Sequence, residues 1–160
     1  MRISAKEQYL SFRRELAAFQ ADLNRAIGEL CDQLVDDYGQ ARNEIAARIK
    51  REEVDGHKKS FCQTTLYHAT DKKKPGTHAL QWKRARYIKG GMMQSYALKR
   101  GKARDLAYPA PVLDKYTPAQ FQEMVRRIES EAAWIRRFNR VLVKVREAER
   151  ALATLDEPIT

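Results

Sequence analysis

Two long stretches of the chain carry apolar residues at helical spacing. Within residues 4–53 the apolar positions recur in steps of four, three and four, a period of about 3.67 residues per turn that keeps them on one face of a nearly straight helix. Ser4 and Glu7 stand three apart and predict a capping box at its start. The apolar positions are Phe12, Leu16, Phe19, Leu23, Ile27, Leu30, Leu34, Tyr38, Ala41, Ile45 and Ile49.

Residues 117–156 predict a second long helix, with Thr117 as its N-cap and Pro118 at its first position. Two apolar stripes of similar length are expected to pack as an antiparallel hairpin, or as halves of a dimeric bundle. The apolar positions of this stretch are Phe121, Met124, Val125, Ile128, Ala132, Ile135, Phe138, Leu142, Val145, Leu152 and Leu155.

The middle region, residues 56–105, has no helical periodicity. Its aromatic and β-branched runs predict strands over 61–68, 79–89 and 92–99, with Gly90 and Gly91 as a hairpin turn. Pro109 and Pro111 predict an extended connection to the last helix. The expected fold class is therefore α+β: two long antiparallel helices flanking a small three-stranded antiparallel β-sheet, in a single domain over residues 1–160.

Charge separates this middle region from both helices. The chain carries 31 Lys and Arg against 21 Asp and Glu, a net charge of +10. Residues 56–105 hold thirteen basic and two acidic side chains, whereas residues 1–55 are net −2 and residues 106–160 are net +1. Such concentration favours a polyanionic partner, of which nucleic acid is the commonest.

The candidate nucleic-acid-binding residues are the basic side chains of the predicted hairpin and its turns. Strand alternation places Arg84 and Arg86 on one face of the sheet, and Lys83 and Lys89 on the other. The full set is Lys72, Lys73, Lys74, Lys83, Arg84, Arg86, Lys89, Lys99, Arg100, Lys102 and Arg104. Four aromatic residues interleave with them and are expected mostly in the core: Tyr67, Trp82, Tyr87 and Tyr96.

Arginine and glutamate alternate along the predicted last helix and nearly balance, which is typical of a salt-bridged outer face. Three of the arginines could extend the basic surface, although the sequence does not require it: Arg136, Arg137 and Arg140. The others are Arg126, Arg127, Arg146 and Arg150, and the acidic neighbours are Glu123, Glu129, Glu131, Glu147 and Glu149.

The sequence contains no recognisable motif for binding a metal or a cofactor. The histidines and Cys62 stand at gaps of five, six and ten residues, unlike a zinc finger or a paired-histidine site, so we expect no metal and no cofactor. Cys31, beside apolar helix positions, is expected to be a packing residue. The residues weighed as ligands are His57, Cys62, His68 and His78.

We also expect no enzyme activity. Gly101 and Lys102 lack the upstream glycine and the following Ser or Thr of a phosphate-binding loop. Asp71 and Asp105 are too few for a magnesium-dependent nuclease. The chain has no apolar run long enough to cross a membrane, its start has no apolar signal core, and two cysteines form no disulfide framework. The expected compartment is a reducing cytoplasm.

The middle region resembles MobI-type auxiliary mobilisation proteins of conjugative plasmids and integrative elements. Three segments carry the likeness: residues 80–88 (Leu-Gln-Trp-Lys-Arg-Ala-Arg-Tyr-Ile), residues 99–102 (Lys-Arg-Gly-Lys) and Tyr108-Pro109. The resemblance implies a small cytoplasmic DNA-binding accessory factor that acts at the origin of transfer and helps the relaxase assemble there. It does not imply the relaxase itself, which needs a three-histidine metal cluster.

The sequence thus favours a homodimer that binds double-stranded DNA through its basic hairpin. Two alternatives stay open. A helical adaptor would use the basic region to dock on an acidic protein, and its DNA affinity would show no sequence preference. An RNA-binding protein would use the tyrosines and the tryptophan for stacking.

Overall fold

The computed structural model describes residues 4–52, 61–71, 76–101 and 106–156. Its elements are α1 (Ala5–Glu52), β1 (Thr64–Thr70), β2 (His78–Tyr87), β3 (Met93–Ala97), α2 (Ala110–Asp114) and α3 (Ala119–Ala153), followed by a 3-10 turn over Thr154–Asp156. The predicted α+β class is confirmed, with two long helices and a three-stranded antiparallel sheet.

The first long helix begins with the predicted capping box. The Ser4 N–H donates to Glu7 Oε2 at 2.8 Å, and the Glu7 N–H donates to Ser4 Oγ at 3.2 Å. These bonds satisfy two backbone donors that a helix start leaves without intrahelical partners. The Ser4 bonds also lower the pKa of the Glu7 carboxyl, because they favour its charged form.

The sheet has the order β1-β2-β3, with β2 in the centre. Leu66 pairs with Trp82 in one ladder, and Arg84 pairs with Tyr96 in the other. The β2–β3 turn is the predicted one: Gly90 and Gly91 both have positive φ, which glycine adopts without a Cβ clash. The strands are shifted from the predicted ranges by up to three residues.

One face of the sheet packs on the helices and forms the core. Trp82 is fully buried, and its ring meets the Tyr38 ring edge-on at a centroid distance of 5.3 Å. The Tyr38 hydroxyl donates to the Thr64 carbonyl on β1. Gly28 lets α1 approach β2 closely, since a Cβ there would lie 3.0 Å from His78 Cε1.

The connection into α3 differs from the expected extended segment. Residues Ala110–Asp114 form the short helix α2, in which Pro111 occupies an initial position that needs no N–H donor. Thr117 does not cap α3, because Pro118 is the N-cap residue. The Thr117 hydroxyl instead donates to Leu113 O at 2.8 Å and lies 2.7 Å from the Thr64 hydroxyl, joining this connection to β1.

A buried ion pair fixes the sheet to α3. Arg136 and Glu129 are bonded through two contacts of 2.9 and 3.1 Å, and both side chains are only 7% exposed. Glu129 also accepts from the Trp82 indole N–H and from the Tyr108 N–H, each at 2.6 Å, while Arg136 Nε donates to Leu80 O at 3.0 Å. The prediction that these two side chains lie on a salt-bridged outer face is therefore wrong.

None of the helices in the described ranges is both long and apolar enough to cross a bilayer.

Candidate nucleic-acid interface

The sheet has an outer face, turned away from the helices, on which aromatic side chains are exposed. Tyr87 is 63% exposed and its ring lies 5.9 Å from that of Phe61. Tyr67 and Met93 are also exposed there. The expectation that the interleaved aromatics lie mostly in the core holds for Trp82 and is wrong for the tyrosines, which are more than a third exposed.

Lys83 belongs to this outer face. It stands in register between Thr65 on β1 and Ala97 on β3, and its ammonium Nζ lies 3.7 Å above the centre of the Tyr67 ring. A cation held over an aromatic ring is attracted by the ring's quadrupole. Lys83 is therefore held in place on the open face of the sheet, where it can contact a phosphate.

Arg84 and Arg86 lie on the opposite face, as alternation predicted, but beyond the part that the long helices cover. The Arg84 guanidinium lies over two tyrosine rings, 4.6 Å from the centre of Tyr116 and 5.7 Å from that of Tyr96. Arg86 is exposed opposite Gln94. The end of the hairpin thus carries basic side chains on both of its faces.

Of the remaining predicted binding residues, the structure describes three. Lys89 and Lys99 are exposed, one in the β2–β3 turn and one just after β3. Arg100 is half-buried and donates to Leu106 O at 3.5 Å. Five predicted residues lie outside the described ranges: Lys72, Lys73, Lys74, Lys102 and Arg104.

The charged side chains of the sheet region are nearly all basic. Across residues 61–71 and 76–101 the only acidic side chain is Asp71. Six basic residues stand in the same ranges: Lys83, Arg84, Arg86, Lys89, Lys99 and Arg100. A surface with this excess of positive charge attracts polyanions over several ångströms, and added salt weakens the attraction.

A hollow of about 380 Å³ extends the basic surface from the sheet edge towards α3. Arg100 and Arg140 line it, together with Asn139, whose side-chain amide donates to His78 O at 2.9 Å. Arg136 also borders the hollow, but its guanidinium is occupied by Glu129 and by carbonyl groups. Arg140 is exposed and is the helix residue that extends the basic surface.

A polar cluster joins β1 and β2 to α1 on the inner face. His68 Nε2 lies 3.0 Å from His78 Nδ1, while His68 Nδ1 lies 2.6 Å from Asp32 Oδ1. His78 Nε2 lies 3.2 Å from Asn24 Oδ1. Burial lowers the pKa of His78, and the adjacent His68 lowers it further.

Among the described residues, His68, His78, Cys31 and Cys62 form no metal site, and His57 lies outside the described ranges. Over residues 4–52, 61–71, 76–101 and 106–156, no three metal-ligating side chains come together. Cys31 and Cys62 are both buried, and burial raises the pKa of the Cys31 thiol to about 11. A protonated, enclosed thiol is a poor nucleophile, which agrees with the packing role expected of Cys31.

The family model described as "MobI protein" matches residues 30–150, about three quarters of the chain. The chain belongs to the MobI family. The match includes the sheet, the basic hairpin and nearly all of α3, and it places this MobI protein in the context of conjugative mobilisation. No curated protein and no solved structure matches the chain.

Proposed function

We propose that this MobI protein is a non-enzymatic, DNA-binding accessory factor of conjugative transfer. In this proposal its basic sheet binds duplex DNA in the origin-of-transfer region, and the bound protein helps the relaxase assemble there. One observation carries the proposal: six basic side chains against one acidic side chain on the described part of a sheet that is open on one face. Membership of the MobI family supplies the mobilisation context.

The hairpin has dimensions that suit a groove. A two-stranded ribbon fits the major groove of B-DNA, and residues along a strand rise about 3.3 Å each. Arg86 and Lys89, exposed near the tip, would then lie nearest the base edges, with Lys99 nearer the phosphates. Arginine pairs with guanine through two parallel hydrogen bonds, so Arg86 is the first candidate for a base contact.

The first test is fluorescence anisotropy with labelled duplexes at several salt concentrations. Random-sequence duplex is compared with duplex from the origin of transfer of the encoding element. A slope of log affinity against log salt of about −5 would mean five or six phosphate contacts, at roughly −0.9 each. Tighter binding to the origin duplex supports the proposal. Equal, weak binding to both would favour an adaptor that docks on an acidic protein.

A pair of charge-removal variants tests the surface. Lys83→Ala with Lys99→Ala removes the two charges of the hairpin that we place nearest the phosphates and should reduce the salt slope by about 2. The matched control is Arg14→Ala with Arg150→Ala, which removes two exposed charges from the long helices. An unchanged slope in the hairpin variant, or an equal loss in the control, would show that DNA binds elsewhere.

Single-stranded nucleic acid is a second candidate ligand. The observation in its favour is the exposure of Tyr67, Tyr87 and Phe61 beside Lys83, because exposed aromatic rings can stack on unpaired bases. Competition between duplex DNA, single-stranded DNA and single-stranded RNA separates the two. Tyr87→Ala would weaken single-strand binding by about 1–3 kcal/mol if the base stacks there.

A further inference from the structure

A second apolar surface lies on the helices, on the side away from the sheet. Leu30 stands two residues from Gly28 and from Asp32, the α1 positions that approach the sheet histidines, so it points to the opposite side of the helix. Trp134 stands two residues from Arg136 in the same way on α3. We call this surface the outer helical face; its exposed apolar residues are Phe12, Phe19, Leu30, Trp134 and Val141.

The outer helical face is unusual for a surface that meets only water. Its five exposed side chains are between 39% and 57% exposed, and Trp134 stacks on the half-buried Phe138 at a centroid distance of 5.4 Å. Phe12, Phe19 and Leu30 stand seven and eleven residues apart and so share one side of α1. Exposed apolar side chains grouped on one side of two neighbouring helices mark an interaction site. The two helices would complete a four-helix arrangement with another helical pair.

Charge borders this face asymmetrically. A row of carboxylates at heptad spacing runs along the α1 edge: Glu15, Asp22, Glu29 and Asp36. Basic residues run along the α3 edge: Arg126, Arg137 and Lys144. All seven side chains are exposed. One edge of the face is therefore negative and the other positive.

From this pattern we propose that a second copy of this chain occupies the outer helical face. A two-fold axis parallel to the helices places α1 of one copy over α3 of the other, so each acidic edge meets a basic edge. A two-fold axis perpendicular to the helices would place α1 on α1 and bring the two acidic edges together. Electrostatic complementarity selects the first arrangement.

Asp22 and Lys144 show how the two copies align along the helix direction. Tyr9 donates to Leu152 O and Arg146 donates to Asn24, so α1 and α3 run antiparallel and Asp22 lies within about one helical turn of Lys144. The proposed axis preserves this level and brings Asp22 beside Lys144 of the second copy. Within the described residues, Asp22 pairs with Arg25 and Lys144 with Glu147, each an exposed contact three residues apart in one helix and of little energetic value.

The test is sedimentation equilibrium of the full chain without nucleic acid, so its result is independent of DNA binding. We expect a concentration-dependent dimer. Phe19→Glu and Trp134→Glu, one on each helix, should each raise the dimer dissociation constant about a hundredfold, because each buries an unpaired charge. Leu10→Glu is the matched control: it replaces an exposed apolar residue of α1 off this face and should leave dimerisation unchanged.

Charge exchange tests the orientation. Asp22→Lys should weaken the dimer about two- to fivefold, and Lys144→Glu in the same chain should restore it. In the α1-on-α1 arrangement Asp22→Lys alone would strengthen the dimer. A chain that stays monomeric at every concentration, or a dimer that Leu10→Glu disrupts while Phe19→Glu does not, would overturn the proposal. Far-UV circular dichroism checks that each variant keeps its helices.

Discussion

Glu129 and Arg136 form a doubly hydrogen-bonded ion pair, two helical turns apart on α3, with both side chains 7% exposed. Seven residues along a helix is the spacing at which two side chains share a face, here the face that meets the sheet. Its other hydrogen bonds join it to Trp82, Tyr108, Leu80 and Leu106, so it holds β2 and the segment before α2 against α3.

Glu129→Gln should strongly destabilise the fold. It would leave the Arg136 charge buried without its counter-ion, a change that typically costs about 3–5 kcal/mol of unfolding free energy. The measurement is the urea unfolding midpoint. Arg126→Ala is the matched control, since Arg126 pairs with Asp114 on the surface and its loss should cost at most about 1 kcal/mol. Equal effects of the two substitutions would contradict the role assigned to the buried pair.

Stability should fall as pH falls from neutrality towards pH 5. Burial lowers the folded-state pKa of His78 below its ordinary value of 6.5, so the unfolded chain takes up this proton first. The loss begins near the unfolded pKa and levels off below the folded one. His78→Gln should reduce this loss between pH 7 and pH 5, as measured by thermal unfolding. A steeper pH dependence in the variant would contradict the assignment.

The two cysteines should react slowly with a thiol reagent in the folded protein. Burial raises the pKa of Cys31 to about 11 and raises that of Cys62, so little reactive thiolate is present at neutral pH. Ellman's reagent should label both residues rapidly in denaturant and slowly without it. Rapid labelling of one cysteine in native buffer would show that its region opens readily.

The architecture was predictable because it depends on periodicity, which each segment carries by itself. The 3.67-residue repeat predicted α1, and Gly90 with Gly91 predicted the β2–β3 turn. The alternation that separated Arg84 from Lys83 was likewise confirmed. These features follow from local geometry.

The errors concern contacts between distant segments. From the sequence, Arg136 was expected on an exposed helix face where arginines and glutamates nearly balance. Its burial depends on the position of β2, whose Leu80 carbonyl it contacts. Thr117 has the composition of an N-cap, but its hydroxyl bonds across to Thr64 on β1. Tyr96 lies on the same face as the buried Trp82, and its exposure depends on how far the hairpin extends past the helices. No local pattern encodes such distances.

Arg84→Lys should reduce nucleic-acid binding although it keeps the charge. The planar guanidinium lies against Tyr116 and Tyr96, and an ammonium group cannot reproduce that stacking or make a two-bond contact with guanine. We expect weaker affinity for origin duplex with a nearly unchanged salt slope. Lys99→Arg is the control, because Lys99 is exposed and this substitution also keeps the charge. A full retention of origin affinity in Arg84→Lys would exclude Arg84 from base recognition.

A dimer joined through the outer helical face would bridge two DNA duplexes. The face and the basic sheet lie on opposite sides of the helices, so the proposed two-fold axis leaves the two sheets pointing away from each other. One duplex cannot reach both sheets without wrapping around the four helices, and DNA resists such bending over a few turns. A bead-bound duplex should therefore capture a second, labelled duplex when the protein is present. Phe19→Glu should abolish this capture while single-duplex binding per monomer is retained. Capture that persists in a monomeric variant would mean that one chain holds two duplexes, and the dimer would then have another role.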